Sequence, residues 1–333
     1  MMALKQMKNE LHVKGRLKTK NLELKETKDT GVFAITGGLI VEFKDENGNI
    51  NNVEGSVYVK DTKNNGEHNQ MFDSYETIMK EYVSVDELAK NSQNTDLADV
   101  VDINAEINSN DYISSRSGAL VSTNNIRVNF VNRVSPNNRD GFEAGATGNI
   151  EVVVDKFIDE IKEDEPTGRK KVIAYTVGYG ERVSQLQNLY VGEDLAEQFE
   201  EMYYKGSNGI ITVKVKHFSE IKEIESDLAT QQTGFGQTDN IPREVTSWTN
   251  ELEVIGGFLP FEDEKAVSED DFKKIKSLRE KFLTEKKATA GTQQVNPVGG
   301  FGSNAKKAED KVTNPFQASG NTEIDISQDD LPF

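Results

Sequence analysis

The sequence predicts an all-β protein with short helices: two tandem small barrels followed by a disordered acidic C-terminal tail. Three observations predict it. Short β-branched and alternating runs are punctuated by turn residues over the first 260 positions, the same order of elements occurs twice, and apolar residues become sparse beyond Lys287. Hydrophobic residues make up only 35% of the 333 positions and charged residues 29%, so a long polar segment dilutes one or two small cores.

In the first copy, Leu11–Leu17 alternates in part, and Asn21–Lys25 continues the strand past a kink. Val32–Phe43 is a second strand, interrupted by Gly37-Gly38, which marks a bulge or a close backbone approach. Asn47-Gly48 is a two-residue hairpin signal. Val53–Lys60 then alternates through Val53, Gly55, Val57 and Val59. Ser74–Ala89 has Ile78, Met79, Tyr82, Val85 and Leu88 near helical spacing, and Val100–Ile107 and Ile126–Val134 close the set.

The second copy starts at Ile150–Ile161, continues through Lys171–Tyr179 and Leu186–Val191, and reaches a helix opened by Gly192-Glu193-Asp194. Acidic residues in that first turn suit the helix dipole, and Leu195, Phe199 and Met202 form its stripe. Ile210–Phe218 and Glu251–Ile255 complete it, separated by a polar loop, Thr230–Asn240. Three strands, a helix and two strands is the element order of an OB-fold, the five-stranded Greek-key barrel. The expected domains are 1–140 and 141–262, each OB-fold-like, an amphipathic helix at 263–287, and a tether at 288–333. Ser268 and three acids form that helix's N-terminal signal, and Phe272, Ile275, Leu278 and Phe282 its apolar stripe.

Several functions are disfavoured. There is no cysteine, which removes disulfides and thiolate metal sites, and His12, His68 and His217 lack ligand spacing, so no metal or cofactor is expected. No Walker loop or Gly-x-Ser-x-Gly elbow occurs, and Gly178-Tyr179-Gly180 lacks the third glycine of a dinucleotide fingerprint, so no enzyme is expected. Met1–Lys20 has no apolar signal core, and no stretch approaches the roughly 20 apolar residues of a membrane span. A cytoplasmic protein is expected.

The net charge of −18 is unevenly spread. Residues 1–28 carry Lys5, Lys8, Lys14, Arg16, Lys18, Lys20, Lys25 and Lys28 against Glu10, Glu23 and Glu26, whereas the end of the chain is acidic. That end reads Asp329-Asp330-Leu331-Pro332-Phe333. A polar tether that finishes on an apolar triplet makes a portable ligand. Burying the Phe333 ring is worth roughly 1.5–3 kcal/mol, and a charge-assisted bond to its α-carboxylate about as much again. Pro332 limits the states to be frozen, and the two aspartates steer the tip toward a basic rim.

This tip resembles that of bacterial single-stranded DNA-binding proteins (SSBs), in the form found in Gram-positive bacteria and their phages. Gln328 stands where such tips often carry another acid. Tyr204-Lys205-Gly206-Ser207 with Ile210-Ile211-Thr212-Val213 is similar to the helix-end and fourth-strand region of SSB barrels, while the first 135 residues depart from an ordinary cellular SSB, as a phage-encoded relative would. The resemblance implies single-stranded DNA as ligand, bound with little sequence preference, and replication, recombination or repair proteins as partners of the tip, with homo-oligomerisation open and no membrane partner. A recombination mediator or adaptor that binds bare DNA weakly, and a scaffold protein, are the alternatives.

Single-strand binding needs cations along the backbone and aromatic platforms for bases. Candidates in the first barrel are Lys14, Arg16, Lys18, Lys20, Phe33, Phe43, Tyr58, Arg127 and Arg133; in the second, Arg169, Lys170, Lys171, Tyr175, Tyr179, Arg182, Lys214 and Lys216. Phe33, Phe43 and Tyr175 fit a core as well as a platform. Tyr179, flanked by two glycines, is expected to be accessible, and Lys214 and Lys216 to face solvent opposite Val213 and Val215.

Overall fold

Two five-stranded barrels are built in the computed structural model, which describes residues 3–27, 31–138, 141–162, 164–224 and 243–292. The first barrel uses β1 (Asn9–Glu26), β2 (Phe33–Lys44), β3 (Ile50–Lys60), β4 (Val100–Ile113) and β5 (Leu120–Arg133). β1 pairs antiparallel with β2 and β4, β2 antiparallel with β3, and β3 parallel with β5 at Ser56↔Arg127, which closes the ring in the order 1-2-3-5-4. The second barrel uses β6 (Gly145–Lys162), β7 (Glu165–Val177), β8 (Val183–Gln185), β9 (Leu189–Val191), β10 (Asn208–Ile224) and β11 (Arg243–Gly257). It closes in the same way: β6 with β7, β7 with β8 and β9, β9 parallel with β11 at Leu189↔Leu252, β11 with β10, and β10 with β6. Its third strand is split in two.

Each barrel is closed at one end by a helix inserted between strands three and four. In the first, α1 (Gln70–Glu81) buries Phe72, Tyr75 and Ile78, and the Tyr75 hydroxyl donates to the Val128 carbonyl of β5 at 3.2 Å. In the second, α3 (Glu193–Met202) buries Ala196 and Phe199, and Tyr203 just beyond it donates to the Phe258 carbonyl at 2.8 Å. Burial raises the pKa of both phenols, that of Tyr203 to about 12, so both remain hydroxyl donors.

The cores follow from strand alternation. Val53, Gly55, Val57 and Val59 all face inward on β3, as their spacing predicts. At Gly37 the backbone takes φ 137°, and a Cβ there would overlap the Asn21 carbonyl of β1, so the close approach expected at Gly37-Gly38 is realised.

Four local expectations change. The Asn47-Gly48 turn is a five-residue loop, 45–49, because the Asp45 carboxylate accepts from the Asn47 and Asn49 amides and from Asn51 Nδ2. The single helix over 74–89 is two, α1 and α2 (Val85–Lys90), since Ser84 and Glu87 form a capping box that starts a new helix. The third strand of the second barrel breaks at 186–188, where Asn188 has φ 50° and the Gln187 backbone is claimed by Asn124 of the first barrel. Strands four and five of both barrels run past their apolar cores as polar ribbons joined by cross-strand pairing, and on β4 the side chains buried there are polar, Asn108, Ser109 and Asp111. The helix expected at 263–287 is α4 (Glu269–Thr292), and its Phe272 and Ile275 pack with Met7, Val153, Tyr175, Val177 and Val183 of the second barrel.

The barrels meet through their first strands. β1 pairs antiparallel with β6 from Asn9↔Ile150 to Lys14↔Gly145, so eleven strands of the described residues form one sheet. Two further contacts are reciprocal. From the first barrel, Ser109 of β4 exchanges hydrogen bonds with Ser184 and Gln185 of β8, and Asn124 of β5 with Gln187. From the second, His217 of β10 takes Asn51 Oδ1 on its backbone amide at 2.8 Å and meets the Asn52 carbonyl with its ring, while Lys214 pairs with Glu46. The ribbon of each barrel therefore docks on the third strand of the other, or on the turn before it.

Both barrels and the helix up to Arg279 belong to one compact unit, Met1–Asn110 with Thr123–Arg279. A second, smaller unit holds Asp111–Ser122 and, among the described residues, 280–292. Within it, Ser122 Oγ donates to Asp111 at 2.6 Å across the β4–β5 hairpin. The tether and tip at 293–333 lie outside the described residues.

A Cβ at position 148 would overlap the Glu10 carbonyl across the β1–β6 seam. Gly148→Val is expected to lower stability by about 1–3 kcal/mol, as overpacking does elsewhere, measured by urea denaturation.

Candidate nucleic-acid interface

In an OB-fold the outward face of strands two and three, bordered by the first and last hairpin loops, is where oligonucleotides lie. On the first barrel, the register aligns Glu23, Thr36 and Tyr58 in one outward row, and Asn21, Gly38, Ser56 and Arg127 in the next. Tyr58 is 51% exposed and stands beside Gly37-Gly38, which adds no side-chain wall. Arg127 is half exposed and only loosely paired, 3.7 Å from Glu106. Phe33, 46% exposed, opens β2 on the side of Ile35 rather than of Thr36, so strand alternation places it off the Tyr58 face. An accessible aromatic ring, a flat strip of backbone and a cation lie on one surface.

The second barrel repeats the arrangement with a residue not among the sequence candidates. Tyr190 of β9 lies between Lys171 of β7 and Glu253 of β11. The Arg169 guanidinium is 4.9 Å from its ring centroid and the Lys171 ammonium 5.8 Å. Arg169 is fixed by Glu251 at 2.9 Å and Glu160 at 3.4 Å. Burial opposes its charge, but the bond to Glu251, with Glu160 and Glu253, more than offsets this and raises its pKa. Tyr190 is held above its ordinary pKa by burial and by the nearby Glu160 and Glu251. The signal available for Tyr190 was its polar-tipped ring between Leu189 and Val191, both of which are buried.

The other candidates are dispersed. Phe43 and Tyr175 are core residues, 5% and 7% exposed, and have no free face for a base. The Lys14–Lys20 run does not form one track. Lys14 approaches Asp102 at 3.9 Å, and Arg16 is tied to Glu42 and Asp96. A register shift between Leu17 and Thr19 turns Lys18 toward Asn52, to which it donates at 2.7 Å. Lys20 is buried beneath α1 and donates to the Met79 and Tyr82 carbonyls at 2.8 and 2.6 Å, with Glu87 at 3.2 Å. Arg133 joins it, donating to the Glu81 carbonyl at 2.6 Å, pairing with Asp99 and covering the Tyr82 ring at 4.2 Å. These two cations satisfy the orphan carbonyls at a helix C-terminus.

Lys170 sits between Asp159 and Glu200, which raise its pKa. Lys214 is solvent-side but spent on Glu46 across the barrels, and Lys216 pairs with Glu253 at 2.7 Å. Tyr179 is 88% exposed, as the flanking glycines predicted. Its turn lies away from the Tyr190 face and is pinned by Glu181, which accepts from the Leu4 amide at 2.7 Å and from Lys274 at 2.6 Å. Arg182 in the same turn is exposed and has no ion pair among the described residues. Asp329, Asp330, Leu331, Pro332 and Phe333 fall outside the described residues. Among the described residues no cluster of His, Asp and Glu is able to hold a metal ion, and no helix is long and apolar enough to cross a membrane.

A family model, YorF, matches residues 8–289, which takes in both barrels and nearly all of α4. The chain belongs to the YorF family. No curated protein matches it. Among solved structures, the wild-type single-stranded DNA binding protein from Thermus aquaticus is similar over 80% of this YorF chain and 99% of its own, with 12% identity and a TM-score of 0.42. A deletion mutant of that protein gives 78% and 97%, with 13% identity and a TM-score of 0.40. A Replication Protein A heterotrimer bound to ssDNA gives 63% and 45%, with 14% identity and a TM-score of 0.18. Such distant likenesses carry nothing about ligands, and the barrels of the YorF chain are assigned from their own strand order.

Lys20→Met is expected to cost about 1–3 kcal/mol by stranding helix-end carbonyls, seen as a lower urea midpoint. Because Lys20 is buried away from the Tyr58 face, oligonucleotide affinity is expected to change by less than about twofold, or roughly 0.4 kcal/mol.

Proposed function

We propose that this chain binds and protects single-stranded DNA with little sequence preference, and that its C-terminal tip recruits replication, recombination or repair proteins. The observation that carries the first part is the repeated outward tyrosine on the third strand of each barrel, Tyr58 and Tyr190, each with cations on the same face. A ring stacks on any base, so such a surface binds strands without reading sequence. The second part rests on the resemblance of Asp329–Phe333 to SSB tips, and with it the phage-encoded origin.

Most cations near these faces already have carboxylate partners. A phosphate must displace a carboxylate rather than a free counterion, so stacking carries more of the affinity than the count of Lys and Arg suggests. The same pairing favours the second reading, an adaptor or recombination mediator that carries the tip but binds bare DNA weakly.

Titration of labelled oligothymidine separates the two. Tyr58→Ala and Tyr190→Ala are each expected to weaken binding by about 5- to 150-fold, the value of one stacked base. The log–log salt slope, about −0.7 per phosphate contact, is expected to correspond to few contacts. Absence of binding at low salt would remove the first reading in favour of the adaptor.

Deleting Asp329–Phe333 is expected to leave DNA affinity unchanged or higher while abolishing capture of host replication and repair proteins in a pull-down. Undiminished capture would refute the assignment of the tip.

A further inference from the structure

The sole tryptophan of the chain, Trp248, is 65% exposed on the β10–β11 ribbon of the second barrel. Its own barrel does not use it. Along β11 the outward residues are Glu251 and Glu253, on the Tyr190 face, whereas Leu252 and Val254 point into the barrel and are 3% exposed. The pairing is regular from Val254↔Val213 through Leu252↔Val215 and Asn250↔His217 to Trp248↔Ser219. Side chains alternate strictly in such a ladder, so Trp248 lies on the Leu252 side and faces away from Tyr190.

That side of the ribbon carries His217, diagonal to Trp248 at roughly 7–8 Å between backbones. His217 meets the Asn52 carbonyl of β3, and its amide takes Asn51 Oδ1. Asn52 in turn accepts the Lys18 ammonium, which has no carboxylate partner among the described residues. An exposed indole, a cation that donates to an amide oxygen rather than to a carboxylate, and the outward residues of β3, continuing through Glu54 and Ser56 to Tyr58, therefore line one side of the first barrel.

We infer that Trp248 is a base-stacking residue of the first barrel's interface, supplied in trans by the second barrel, with Lys18 as the adjoining phosphate contact. This rests on the single-strand reading above. It makes the site composite: a strand running along β3 toward Asn52 passes onto the ribbon of the neighbouring barrel, which leads it to the second face.

The test uses the full chain and an oligothymidine of about eight nucleotides, within the range of one barrel. Anisotropy of a label on the oligonucleotide reports binding, and Trp248 emission reports occupancy beside the indole. Quenching is expected to accompany binding. Tyr58→Ala is expected to shift the midpoint of quenching by roughly 5- to 150-fold, and Tyr190→Ala by less than about twofold. Trp248→Ala, on an exposed position, is expected to weaken binding by about 5- to 100-fold without altering the unfolding midpoint, and Trp248→Phe to restore most of it. Binding with unchanged Trp248 emission, or a quenching midpoint that moves with Tyr190→Ala instead of Tyr58→Ala, overturns the assignment while leaving the single-strand reading intact. No anisotropy change with the wild-type chain overturns both.

Discussion

The antiparallel pairing of β1 with β6 is the contact on which the rest of the arrangement depends. It joins the first strand of one barrel to the first strand of the other, and Gly148 lets the two backbones meet where a side chain would collide with the Glu10 carbonyl. Once that seam is set, the two barrels face each other in opposite senses. The ribbon of each then reaches the third strand of its neighbour or the turn before it, through Ser109 and Asn124 in one direction and Lys214 and His217 in the other. A tandem chain thus has the reciprocal contacts expected of a two-fold dimer, with unlike residues in the two halves.

This geometry explains features that look costly in isolation. Asn51 is buried because it completes the edge of β10 beyond the reach of β6, whose pairing ends at Lys214. The broken third strand of the second barrel gives up part of its ladder, and the amide and carbonyl of Gln187 find Asn124 instead. The polar ribbons bury little apolar surface, so their order comes from pairing and from the neighbour on which they dock.

Charge has been distributed in a way that separates structure from interface. Lys20 and Arg133 finish α1, Lys214 ties the barrels, and Arg16 and Lys170 are held by acids. What remains outward and loosely held is a short set around Tyr58, Arg127, Tyr190, Lys171 and Lys18. On a chain of net charge −18, few cations beside the exposed aromatic rings are without a carboxylate partner.

Sequence alone determined the barrels and the helices that close them, because strand alternation, capping residues and helical spacing are local and are set by burial of one face. Val53 to Val59, Gly37, the acidic start of α3 and the accessibility of Tyr179 were all legible for that reason. Whether Phe43 and Tyr175 faced core or solvent was not, since an aromatic in a strand suits either side until the register is known. Nor was the fate of each lysine, because ion pairs across 67 residues, Lys20 with Glu87, or 168, Lys214 with Glu46, leave no local pattern. Tyr190 sits between two buried neighbours in a three-residue strand, and Trp248 in a stretch too polar to read as a strand. Only the tertiary pairing of β1 with β6 and of β9 with β11, and the contact of His217 on β10 with Asn51 and Asn52 of β3, decided which of these side chains share a surface.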